Sequence, residues 1–230
     1  MKLTRKNFAD KIKKIFSEVF TLEIGTFFYF LTASILLTIA PGPDILYLLT
    51  KSLSSGAKCG IILAAGLVSG IIFHTLLVML GVATVIQNSP TAQMILKIFG
   101  AGYLLFLSFN AFKSARRGAE ISLQKNDTQS KFLELYRRGV LMNVLNPKVL
   151  LFFLAFLPQF INLNSDSASL QIIFLGVTFA FQGFVIFSAV AFFAGRLRKI
   201  ILQKKNLGTI LAYVESAVLF FIAVSLIFLQ

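Results

Sequence analysis

Six apolar stretches divided by short polar gaps limit this chain more than anything else about it. They run over Gly25–Thr50, Cys59–Ile86, Met94–Phe112, Gly139–Ile161, Leu170–Gly195 and Leu207–Leu229. At a rise of 1.5 Å per residue, about 20 residues cross a ~30 Å hydrocarbon core. Inside lipid only a helix or a closed barrel satisfies every backbone N–H and C=O, and no stretch alternates as barrel strands do. The pattern therefore predicts an all-α integral membrane protein with six transmembrane helices. Composition agrees: 57% of the residues are apolar and 13% charged, against an apolar share of about 45–50% in soluble domains.

The charge is one-sided, with 22 Lys and Arg against 9 Asp and Glu, a formal +13. A nucleic-acid binder gathers such charge on one wet face. Here it fills the gaps between apolar stretches, so the expected partner is the lipid bilayer and not nucleic acid. Residues 51–58 hold two basic residues, 113–138 seven and 196–205 five, while 87–93 and 162–169 hold none. The excess of Lys and Arg on the cytoplasmic side places those three loops inside and both termini outside. Six basic residues before Gly25 oppose that assignment. Either they cross, or the first stretch stops short of spanning.

Residues 1–24 form a basic extension. Phe8, Ile12, Ile15, Phe16, Val19 and Phe20 recur at helical spacing opposite Lys6, Lys11, Lys13 and Lys14. This is the pattern of an amphipathic helix on an anionic membrane surface; a solvated charged tail is the plainer reading. It lacks the apolar core and cleavage site of a signal peptide, so it is expected to be retained. Residues 25–230 read as one transmembrane domain, with a first half over 25–112, a cytoplasmic connection over 113–138 and a second half over 139–230.

Most polar residues in the spans need no special role. Gly66 and Gly70 make a G-x-x-x-G, which packs helices closely within a chain or between two copies, so a homo-oligomer is left open. One cysteine, Cys59, excludes an internal disulfide. Two places differ. Pro41-Gly42-Pro43-Asp44 and Asn143-Val144-Leu145-Asn146-Pro147-Lys148 each put proline immediately before a charge in the first span of a half. Proline lacks an N–H and clashes with the preceding turn, so both helices must break. Broken backbone at membrane depth is tolerated only inside protein or beside water. Interruptions at matching places in two halves point to a transporter site at the repeat interface. Three spans per half make the repeats opposite in orientation. Asp44 and Lys148 are expected to approach each other, directly or through water or substrate; the alternative is that each snorkels to its own interface.

These residues resemble the LysE/RhtB-type amino-acid exporters. The resemblance rests on Pro41-Gly42-Pro43-Asp44, Gly56, Gly60, Gly66 and Gly70, and Gly100-Ala101-Gly102-Tyr103-Leu104. It continues through Asn143, Asn146-Pro147-Lys148, Phe152-Phe153 and Leu157-Pro158-Gln159-Phe160, covering roughly 27–229. It implies a bacterial inner-membrane exporter of amino acids or close derivatives, driven by the proton motive force. On that reading the broken helices line one site. Pro41, Gly42, Pro43, Asp44, Asn143, Asn146, Pro147 and Lys148 bind substrate, with Asp44 toward the ammonium and Lys148 toward the carboxylate.

The chain departs from the family in its long amino-terminal extension and in Glu215, where a small residue is usual. Glu215 reads either as a proton carrier or counter-charge, or as a residue solvated near one interface. His74, the one histidine, suits proton coupling by its ordinary pKa near 6.5, or serves as a hydrogen-bonded packing residue. Proton coupling thus has three candidates: Asp44, His74 and Glu215. No G-x-x-x-x-G-K-[ST] loop is present, so neither ATP nor any other cofactor is expected. Two alternatives compete with an amino-acid exporter. A metal-cation efflux protein of the same superfamily would need more ligands than Asp44, Glu215, His74 and Cys59 supply, so no metal site is expected. A non-transporting membrane assembly protein would not tie export to Asp44. No enzyme signature appears.

Overall fold

The computed structural model describes residues 24–82, 89–119, 131–161, 167–204 and 206–228. The expected surface helix before Ile24 lies outside them. Every regular element among the described residues is helical. Helix α1 covers Ile24–Ile39, α2 Pro43–Ser55, and α3 Ala57–Leu77 with a π turn over Val78–Val82. Helix α4 covers Pro90–Arg116 and α5 Phe132–Val144. Helix α6, Pro147–Leu151, runs on as a π turn over Phe152–Phe156 and a 3-10 turn over Leu157–Phe160. Helices α7, Ala168–Arg196, α8, Arg198–Leu202, and α9, Leu207–Phe228, complete the chain.

Four helices are long and apolar enough to cross a membrane, and the bent pairs α1–α2 and α5–α6 bring the total to six if each is one span. The bends, 55° and 48°, fall at the two proline motifs as expected. A further proline explains the π turn over Phe152–Phe156. Pro158 cannot donate to the carbonyl of Leu154, and the ladder shifts so that the N–H of Leu157 reaches back to Phe152.

Two boundaries differ from the sequence reading. Residues 51–58 are not a loop: α2 continues to Ser55 and α3 begins at Ala57. Gly56 alone makes the corner, at a φ of 87° that favours glycine. Lys51 is accordingly buried in a helix. The fourth stretch begins at Phe132 rather than Gly139. Charge at Glu134, Arg137 and Arg138 hides a helical face on which Leu135 and Gly139 are buried.

Helices before residue 120 pack against helices after residue 130. The last helices, α4 and α9, lie together, α3 lies against both α5 and α7, and α2 packs on α7. The G-x-x-x-G works within the chain, drawing α3 onto α5. A Cβ on Gly139 would lie 2.5 Å from the Leu63 carbonyl oxygen, and one on Gly70 would lie 2.7 Å from Asn143 Oδ1. Phe30, Phe152, Phe153 and Phe156 are fully buried, with the rings of Phe152 and Phe156 stacked at 4.8 Å. Phe99, Phe181 and Phe228 are by contrast more than two-thirds exposed, at 73%, 70% and 78%. Outward apolar surface of that kind suits lipid and not water.

Candidate functional site: two helix breaks joined

Each break follows from what proline cannot do. In an unbroken helix the carbonyl of Leu37 would accept from residue 41, and that of Asn143 from residue 147. Both positions are proline, so neither carbonyl keeps that partner, and an acceptor left unpaired inside protein is costly. Asn143 O accepts instead from the Asn146 N–H at 2.9 Å, and side chains from elsewhere reach both carbonyls. Lys148 Nζ donates to Leu37 O at 3.0 Å and to Ala40 O at 2.8 Å. His74 Nε2 bonds Asn143 O at 3.0 Å. A carbonyl only accepts, so Nε2 carries the hydrogen of this bond.

Past each break the chain restarts in the same way. Gly42 caps α2 and Asn146 caps α6, with Pro43 and Pro147 at the first helical position, where a missing N–H costs nothing. The next residue in each case is the charge. Asn146 does two jobs: its Oδ1 accepts from the Lys148 N–H at 3.0 Å, and its Nδ2 donates to Asp44 Oδ2 at 2.6 Å. Asp44 and Lys148, both 6% exposed, therefore meet through Asn146 and the end of α1 and do not snorkel to separate interfaces. Asp44 sits in the first turn of α2, where the helix dipole favours an anion. Lys148 sits against the carbonyl end of α1, where it favours a cation.

Glu215 joins them. A point one bond from the Gly42 Cα lies 3.2 Å from Lys148 Nζ and 3.7 Å from Glu215 Oε1. The missing side chain of Gly42 thus lets ammonium and carboxylate share one space. Glu215, partly exposed, thus borders this cluster. The rings of Pro43 and Pro147 are exposed, so these prolines shape the site and do not face it.

Between the breaks lies a cavity of about 20 Å³, lined by Thr38, Asp44, Asn143 and Lys148 on its polar side. That is room for about one water molecule. Leu37, Ile71, Val149 and Phe179 line the rest. One residue here went unnoticed in the sequence. Gln182, on α7, donates from Nε2 to Thr38 Oγ1 at 2.9 Å, and Thr38 passes its own hydrogen to Ser34 O at 2.8 Å. A neutral amide in an apolar helix carries no pattern that marks it; only the fold brings it to α1.

Helices fit to cross a bilayer, with an acid and a base buried where two of them break, define a multi-pass membrane protein with a charged crossing point between its halves. Residues 35–230 match the family model of the LysE type translocators, and the chain belongs to that family: it is a transporter and not an enzyme. It is similar to the leucine efflux proteins of Salmonella choleraesuis and Salmonella paratyphi A. Each is 28% identical over 197 residues, covering 81% of this chain and 89% of the relative. No solved structure matches the chain.

Proposed function

We propose that the chain exports amino acids or close derivatives across the bacterial inner membrane as a secondary transporter coupled to the proton motive force. The observation that carries this is the junction of the two breaks, where Asp44 and Lys148 are buried within one hydrogen-bonded cluster. A zwitterion offers an ammonium to the carboxylate and a carboxylate to the ammonium, so its binding replaces each buried charge's partner with an equivalent. A bare metal cation would meet Lys148 as a like charge, which disfavours the cation-efflux alternative. Family membership and the leucine efflux relatives support an amino acid as cargo.

On this reading the six spans are two inverted three-helix repeats in a single domain over 25–230. Rocking of one half against the other exposes the cluster alternately to each side. Asp44, Asn143, Asn146 and Lys148 hold the substrate's polar groups, while Pro41, Gly42, Pro43 and Pro147 hold the breaks open. We assign proton coupling to Asp44 and Glu215, and read His74 as the hydrogen-bonded packing residue on the Asn143 carbonyl. The test is export from proteoliposomes loaded with labelled leucine under an imposed pH gradient. The proposal expects efflux that the gradient accelerates and that Asp44→Asn abolishes in a protein still inserted and folded. Efflux indifferent to both would contradict it.

A further inference from the structure

The cavity between the breaks has room for about one water, so it cannot hold an amino-acid side chain as well as the polar groups. A larger space lies beside it. Between α3 and α7 runs an apolar groove of about 200 Å³, lined by Ile71, Ile72, Leu76, Met79, Ile173 and Val177. Its outer edge is open: Ile72 and Val177 are 61% and 62% exposed. Ile71 borders both spaces, and it is almost fully buried. It therefore stands as the partition between a polar compartment and an apolar one.

The helix opposite Ile71 leaves room for it to move. A Cβ on Gly183 would be 4.0 Å from Ile71 Cδ1 and 3.9 Å from Val68 Cγ2, so the bare Cα gives the side chain slack against α7. A little further along, Gly176 faces Thr75, where even a Cβ would lie 2.5 Å from Thr75 Oγ1. The two helices thus approach closely midway along the groove and leave Ile71 loosely held at its end.

We infer that Ile71 is the specificity-determining residue of the transporter: the substrate's aliphatic side chain enters the groove between α3 and α7 past Ile71 while its ammonium and carboxylate remain with Asp44 and Lys148. The inference rests on the proposed function, and it adds to it the place of the side chain. The groove supplies only apolar wall to such a chain apart from Thr75, so each buried methylene favours binding and a charged side chain is rejected. Glycine and alanine, with little or no side chain, do not need the groove.

The experiment measures efflux of leucine and of alanine from proteoliposomes containing the full chain. Val177→Phe fills the groove from its exposed edge, where folding is not at stake, and Ile71→Phe closes the partition from within. Both are expected to raise the KM for leucine roughly tenfold or more, the scale at which a pocket discriminates by side-chain size; Val177→Phe leaves alanine unchanged, and Ile71→Phe raises the KM for leucine more than that for alanine. Ile71→Ala is expected to lower the KM of larger apolar side chains relative to that of alanine. Equal losses for leucine and alanine would assign the groove to packing or to a lipid chain and overturn the inference while export itself stands. If the unmodified chain exports neither, the proposed function fails first and the inference with it.

Discussion

Lys148 is the residue at which most of the account converges. Its ammonium replaces the N–H that Pro41 lacks, and this makes a specific energetic expectation. Lys148→Met leaves the Leu37 carbonyl unpaired, a loss of about 1–3 kcal/mol. In a Pro41→Ala background the restored N–H takes that carbonyl, and the same substitution should cost at least about 0.5 kcal/mol less, the usual lower limit of measurable coupling. Unfolding in detergent of the four proteins measures it; equal costs in both backgrounds would detach Lys148 from the break. His74 makes a milder case. His74→Gln keeps a donor for Asn143 O and should retain export with normal proton flux, whereas His74→Leu, which leaves Asn143 O its bond from the Asn146 N–H, should destabilise the protein by about 0.5–1.5 kcal/mol. At this scale the sequence was readable where covalent chemistry decides: a proline without an N–H breaks a helix wherever it lies. Which donor fills the vacancy was not readable, because Lys148 and Leu37 are brought together only by the fold. Gln182 was invisible for the same reason.

Among the elements, the glycines of α3 and α5 control how closely the halves approach. Gly139→Val would place a branched side chain against the Leu63 carbonyl and should cost about 1–3 kcal/mol. Gly102→Ala, where an added Cβ meets nothing within 4 Å, should be close to neutral, and thermal unfolding in detergent distinguishes them. The G-x-x-x-G was legible as a packing motif, but whether it served one chain or two depended on finding Tyr136, Gly139 and Asn143 opposite it. The element boundaries were less legible. A helix does not stop where hydropathy falls, so Lys51 and the stretch from Phe132 to Arg138 read as loop in sequence although their backbones continue a helix. Conversely, both breaks lie where the prolines put them, and the matched order of cap, proline and charge in α2 and α6 follows from the sequence directly.

For the whole molecule, the proposed six-span arrangement makes a topological prediction. In a Cys59→Ser background, cysteines placed at Arg116 and Arg198 should react with an impermeant thiol reagent only from the cytoplasmic side, and one at Ser89 only from the outside. Labelling of all three from one side would refute the arrangement. The central claim is that the two halves meet in one charged cluster that binds substrate, and a double-mutant cycle on efflux tests it most directly. Removing one member of a buried, hydrogen-bonded charge pair costs about 2–5 kcal/mol, much of it from stranding the other. Asp44→Asn and Lys148→Met should therefore each reduce leucine efflux from proteoliposomes at least roughly 30-fold, and the double variant should be no worse than either. Two partial defects that multiply in the double variant would mean that Asp44 and Lys148 act apart, and would contradict the account.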